Sequence, residues 1–166
     1  LRRQRQMCIR DRLRRYTTFS ILILSIFFAC SQPKHLIDYR SFNGKWLASN
    51  KIVFDFISRT DQPVNMMIYI RNNRQYPFSN LFLIAQLKKG DSLLICDTLE
   101  YAMANAQGYW LGKGFLGIKE SRLLWKENYE LPRVENLNVQ LEHALRLNGS
   151  ERGLDTLQGI FGVGLV

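Results

Sequence analysis

The sequence predicts an all-β fold, an antiparallel β-sandwich preceded by a lipoprotein signal peptide and a short tether. Three observations carry that expectation. From residue 45 onward, several segments rich in β-branched and aromatic residues alternate apolar with polar side chains at a period of two, the pattern of half-buried strands. Turn-forming residues interrupt these segments at intervals of about 8 to 14 residues. No regular succession of strand and helix patterns is present, which argues against a parallel sheet built from crossover units.

The elements follow in order. "KIVFDFIS" sets Ile52, Phe54 and Phe56 against Val53, Asp55 and Ile57, and Asp61 with Pro63 marks the turn after it. "VNMMIYIRN" places Val64, Met66, Ile68 and Ile70 on one face and Asn65, Met67, Tyr69 and Arg71 on the other. "NNRQYP" is a second turn, where Pro77 excludes a central strand. "FSNLFLIAQL" is apolar on both faces and reads as a strand in the middle of a sheet, closed by the turn at Lys88-Lys89-Gly90-Asp91. "SLLICDTLEYAMA" begins as a strand, whereas "TLEYAMANA" also suits a helical turn. "IKESRLLWKENYELP" is open to strand or short helix. Leu137 to Leu147 alternates as a strand, with Val139, Leu141, His143, Leu145 and Leu147 on one face, though Leu137, Leu141 and Leu145 would also suit a helix.

The N-terminal region is of another kind. Phe19 to Ala29 is an apolar run of 11 residues broken only by two serines. A bilayer-spanning helix needs roughly 20. Arg12, Arg14 and Arg15 precede the run, and Ala29-Cys30 ends it just before "SQPKH". A basic flank, a short apolar stretch and a small residue describe a secretory leader. The cysteine directly after the small residue resembles a bacterial lipobox, with Phe27 standing where leucine is usual. We therefore expect residues 1–29 to be the signal peptide, Cys30 to carry the acyl chains, residues 30–44 to form the lipidated tether, and residues 45–166 to form the sandwich domain. Residues 1–12, which lack an initiating methionine, read as a gene-call artefact.

The leader accounts for most of the charge. The chain carries 23 basic and 14 acidic residues, a net +9. The first 29 residues hold seven arginines and one aspartate, so the remainder holds 16 basic and 13 acidic residues, a net +3. Nucleic-acid binders concentrate cations on the folded domain, so this distribution excludes that class of partner. With Cys8 and Cys30 in the leader region, Cys96 is alone in the domain and the fold must rest on its core. His143 is expected to be a hydrogen-bonded core histidine.

"GKGFLG" matches G-x-G-x-x-G through Gly112, Gly114 and Gly117. A dinucleotide site needs those glycines between a buried strand and a helix, and no such strand precedes Gly112. A hairpin whose glycines accept positive φ is the expectation. Asn148-Gly149-Ser150 is formally a glycosylation sequon and equally a turn. Two distant histidines and one thiol provide no zinc spacing, and no carboxylate pair stands out. No cofactor, no metal and no catalytic residue is expected.

Several phrases together resemble the GldH family of gliding-motility lipoproteins of Bacteroidota. They are "FNGKWLASNKIVFDF" with Trp46, "YIRNNRQYPFSNLFL" with Arg71, Asn72, Tyr76 and Asn80, "GYWLGKGFLGIKE" with Trp110, Gly112 and Gly114, and the closing "LQGIFGVGLV". The resemblance implies a non-enzymatic, lipid-anchored protein of the cell envelope, held by acyl chains such as palmitate. It would face the periplasm from the outer membrane and bind protein partners in the gliding and type IX secretion machinery. Arg71, Tyr76 and Asn80 either form a buried polar network that pins a turn or an exposed patch for a partner. The alternative function is a carbohydrate-binding or hydrolytic envelope sandwich that presents Trp110 and Trp125 as sugar platforms.

Overall fold

The structure, a computed structural model, describes residues 38–147 and 149–166. The leader, Cys30, the first part of the tether and Asn148 of the sequon lie outside the described residues. The remainder belongs to the compact unit Leu36–Val166.

Among the described residues there are ten strands: β1 (Asp38–Ser41), β2 (Lys45–Leu47), β3 (Ile52–Phe56), β4 (Val64–Asn72), β5 (Asn80–Lys89), β6 (Ser92–Ala102), β7 (Lys119–Tyr129), β8 (Leu137–His143), β9 (Thr156–Gln158) and β10 (Ile160–Leu165). They form one sheet in the order β1-β10-β4-β7, a second in the order β3-β8-β5-β6, and a ribbon of β2 with β9. Every pairing is antiparallel. No helix among the described residues is long and apolar enough to cross a membrane.

Alternation explains the layers. Met66, Ile68 and Ile70 of β4 and Leu123 and Trp125 of β7 are buried from one sheet; Leu81, Leu83, Ala85 and Leu87 of β5 and Leu137, Val139 and Leu141 of β8 are buried from the other. Their packing against one another supplies the apolar burial that drives folding. β5 lies between β8 and β6, as its apolar character on both faces predicts. The ambiguous second half of "SLLICDTLEYAMA" is strand through Ala102, because Leu99 and Tyr101 pair with Leu83 and Leu81. "IKESRLLWKENYELP" likewise contributes β7.

β1 falls inside the stretch expected to be tether. It has no hydrophobic alternation of its own; its strand conformation comes from pairing with β10 at the far end of the chain, Asp38 opposite Leu165 and Ser41 opposite Gly162. A bulge between Ile160 and Gly162 lets Ile160 and Val163 both face the core although they are three residues apart.

Both lateral seams of the sandwich are tied. On one side, Arg40 of β1 donates to the Val53 carbonyl of β3 at 3.3 Å and stands 5.2 Å from the Phe54 ring centre. On the other, Trp125 Nε1 of β7 donates to Asp97 Oδ2 of β6 at 2.8 Å, Lys126 Nζ lies 2.9 Å from the same oxygen, and the Tyr101 hydroxyl donates to the Leu124 carbonyl at 2.8 Å. Burial opposes the charged form of Asp97, but the hydrogen bonds from Lys126 and Trp125 outweigh it and hold its pKa below the usual value.

Trp46 is wholly buried in β2, with Phe42 stacked on it at 5.8 Å and His143 edge-on at 5.3 Å. Its indole N–H donates to the Asn50 carbonyl at 2.9 Å. His143 is a core residue, as expected, but neither ring nitrogen makes a well-aligned hydrogen bond, although the Trp46 backbone approaches it. Burial pushes its pKa below 6.5, opposed in part by the Trp46 backbone and by Glu142. Between its folded and unfolded pKa values the unfolded chain holds the extra proton, so this stability contribution is full above about pH 6.5 and falls as the pH drops. Denaturant unfolding measured from about pH 7.5 down to 5.5 should therefore show declining stability. His143→Met should flatten that slope, and an equal slope in the variant would reject the assignment.

Candidate functional site

The phrase from Arg71 to Asn80 divides between two places. Tyr76 is 2% exposed; its hydroxyl donates to the Asn80 carbonyl at 2.7 Å, and its ring packs against Phe78 at 5.7 Å and Trp110 at 6.1 Å. Burial raises its pKa, so the phenol remains neutral and serves as a hydrogen-bond donor. Asn72 is fully buried and donates to the Asn73 carbonyl at 3.4 Å, leaving its Oδ1 without a partner. The Asn80 side chain reaches across the sheet to Glu100 at 3.0 Å. Gly159, at φ +77°, completes the arrangement: a Cβ there would drive into the Tyr76 amide, and the Asn73 amide donates to the Gly159 carbonyl at 2.9 Å. Tyr76, Asn72 and Trp110, with the Asn80 carbonyl, thus pin the β4–β5 connection against the turn before β10.

Arg71 stands apart, on the outer face of the first sheet. Register places Tyr39, Gly164, Tyr69 and Arg122 in one cross-strand row and Ser41, Gly162, Arg71 and Glu120 in the next. The Tyr39 ring occupies the space above Gly164, where a Cβ would come within 2.6–2.8 Å of three of its carbons. The Arg71 guanidinium sits 4.3 Å from the Tyr39 ring centre, its Nε donates to Glu120 Oε2 at 2.9 Å, and the Tyr39 hydroxyl donates to the same oxygen at 3.2 Å. Tyr69 meets Tyr39 edge-on at 6.2 Å and carries Arg122 at 5.3 Å.

The electrostatics are consistent with a preset cationic face. The hydrogen bond that Arg71 donates to Glu120 comes first among the influences that raise the pKa of Arg71, so its charge is permanent. Partial burial, followed by the Glu120 charge, raises that of Tyr39 and keeps its phenol neutral. Two arginines against one glutamate leave a net positive charge, and the Arg71 and Arg122 side chains are 45% and 68% exposed. Arginine stacked on tyrosine presents planar donors at low ordering cost. Such a face suits a partner that offers carboxylates or backbone carbonyls.

The glycine-rich segment connects β6 of one sheet to β7 of the other and leads into a strand rather than a helix, so it is not a dinucleotide loop. The positive φ values fall at Leu116 (50°) and Gly117 (83°), not at Gly112 or Gly114. Those two glycines serve close approach. A Cβ on Gly112 would lie 2.7 Å from Ser121 Oγ, and one on Gly114 would collide with the Ile118 carbonyl. This closeness lets Lys113 exchange backbone hydrogen bonds with Glu120 at 3.0 and 2.7 Å. An open cleft of about 640 Å³ beside them is lined by Ala102, Lys113, Ser121 and Arg122 among others.

Neither tryptophan of the sugar-platform alternative is presented as one. Trp125 is 7% exposed with its N–H held by Asp97, and Trp110 is partly buried with its ring tilted against Tyr76.

Tyr39, Tyr69, Glu120, Arg122 and Gly162 carry no individual mark in the sequence, and Gly164 stands out only within the closing glycine-rich phrase. One signal was available: glycines two residues apart inside a strand clear one face, and β4 carries Met67, Tyr69 and Arg71 on its polar side. The partner Tyr39 has no such local mark.

A family model described as GldH lipoprotein matches residues 35–166. A gliding motility lipoprotein GldH homolog of Christiangramia forsetii is 35% identical over 153 residues, covering 89% of this chain and 94% of that protein. The gliding motility lipoprotein GldH of Flavobacterium johnsoniae is 34% identical over 147 residues, covering 87% and 91% respectively. Among solved structures, dimeric latent PorU from Porphyromonas gingivalis matches 82% of this chain, which spans 13% of that chain, at 10% identity and a TM-score of 0.33. A similarity that low carries no argument.

Proposed function

The chain belongs to the GldH lipoprotein family, and on that premise we propose that it acts as a non-catalytic binding or assembly component of the gliding and type IX secretion machinery. The carrying observation is the outer face of Tyr39, Tyr69, Arg71 and Arg122, with Glu120 fixing the first arginine. Tyrosine and arginine are the residues most often found to dominate protein interfaces. Here they are held in register by β-pairing rather than carried on a loop.

In this reading acyl chains on Cys30, palmitate among them, anchor the protein to the envelope, on the periplasmic face of the outer membrane. The sandwich then supplies a rigid surface close to the bilayer, and its work is recognition. Capture of the acylated chain from its native envelope tests the proposal. Recovery of a gliding or secretion component is the expected result, and recovery of none would overturn the reading.

A further inference from the structure

Beyond the Glu120 corner, the β6–β7 connection carries the largest exposed apolar side chains among the described residues. Phe115 is 82% exposed, Leu116 88% and Tyr109 73%, with Leu111 at 56% and Ile118 at 39% beside them. The tip is a closed turn: the Ile118 amide donates to the Phe115 carbonyl at 3.2 Å, and Lys119 Nζ reaches the Gly114 carbonyl at 3.4 Å. Leu116 is held at φ +50°, a backbone conformation that bulky residues seldom adopt. From Asn105 to Lys119 there is no acidic residue, and Lys113 and Lys119 flank the apolar pair.

We infer that Phe115 and Leu116 dip into the lipid interface of the membrane that bears the anchor, with Lys113 and Lys119 at anionic headgroups. The inference rests on the lipid-anchor reading for placing the domain at a bilayer. Three features favour lipid over a protein pocket. The apolar group is a convex tip rather than a groove, the cations flank the apolar residues as headgroups require, and no acidic residue in the segment repels anionic lipid. A turn that spends backbone strain to turn a leucine outward contributes nothing to the core. Insertion of two apolar side chains adds a second, reversible contact that orients the sandwich, where the acyl chains alone leave it free to rotate.

The test uses the acylated full chain reconstituted in vesicles of phosphatidylcholine and phosphatidylglycerol. In a Cys96→Ser background, an environment-sensitive fluorophore on Phe115→Cys should shift to the blue and be quenched by lipids brominated on their acyl chains. The same probe on Leu93→Cys, 54% exposed at the far end of β6, should report water. A Phe115 probe that also reports water on bound vesicles overturns the inference, as does one that shifts only in native envelope, which would assign the tip to a protein.

The unacylated chain begun at Ser31 keeps the whole compact unit and separates this inference from the anchor reading. It should still sediment with anionic vesicles, and Phe115→Asp with Leu116→Asp should weaken that binding at least about tenfold. If the full chain takes up no acyl label while this fragment binds through its tip, the anchor reading falls and the tip stands. If the acylated chain binds and the double variant changes nothing, the tip falls alone.

Discussion

Trp46→Ala lowers the unfolding free energy by about 3–5 kcal/mol, the usual cost of deleting a large buried aromatic side chain. Trp46 is inaccessible to solvent, stacked by Phe42 and met edge-on by His143, and its N–H satisfies the Asn50 carbonyl. Truncation removes all three contacts and leaves a void that β2, only three residues long, cannot collapse to fill. Against a typical stability of about 5–15 kcal/mol, this is at least about a fifth of the total. For a unit of this size the melting temperature should fall by about 10–20 °C. Trp46→Phe keeps most of the stacking and should cost less than half as much. Calorimetry of both variants checks this, and a fall of only a degree or two for the alanine variant would show that the β2–β9 ribbon is not part of the cooperative core.

The second large effect is on binding rather than on folding. Arg71→Ala with Arg122→Ala removes the two exposed cations from the face while leaving the buried residues untouched. The ion pairs they make with Glu120 are at the surface, where such pairs contribute about 0–1 kcal/mol, so the melting temperature should barely move. Arginine anchors at interfaces commonly cost about 1.4 kcal/mol or more each when truncated, a factor of ten in affinity. Loss of partner binding without loss of stability is the signature that separates a recognition surface from a structural one.

Legibility of the fold in the sequence was high where structure is local and low where it depends on distant partners. β4, β5 and β8 were readable because their inward residues, such as Met66-Ile68-Ile70 and Val139-Leu141, mark one face at a period of two. β1 was not, because Asp38 to Ser41 is strand only through its pairing with residues 162–165. The same distance hid the candidate site. Arg71 was visible within its phrase, but the ring on which it stacks is 32 residues earlier and its carboxylate partner 49 residues later. Tyr76 and Asn80 share a phrase with Arg71 that suits a buried network or an exposed patch, and the pin depends on the distant Gly159, which brings the β9–β10 turn against the Tyr76 backbone. Gly112 and Gly114 drew notice as a phosphate-loop pattern, whereas their small size serves the contacts with Ser121 and the Ile118 carbonyl.

In the proposed function the outer face of the first sheet holds an envelope partner. The most direct measurement is quantitative capture of the acylated chain from native envelope, wild type beside the Arg71→Ala, Arg122→Ala variant at equal abundance and equal melting temperature. A gliding or secretion component should be recovered with the wild type and reduced at least about tenfold with the variant. Equal recovery of that component by both chains would contradict it.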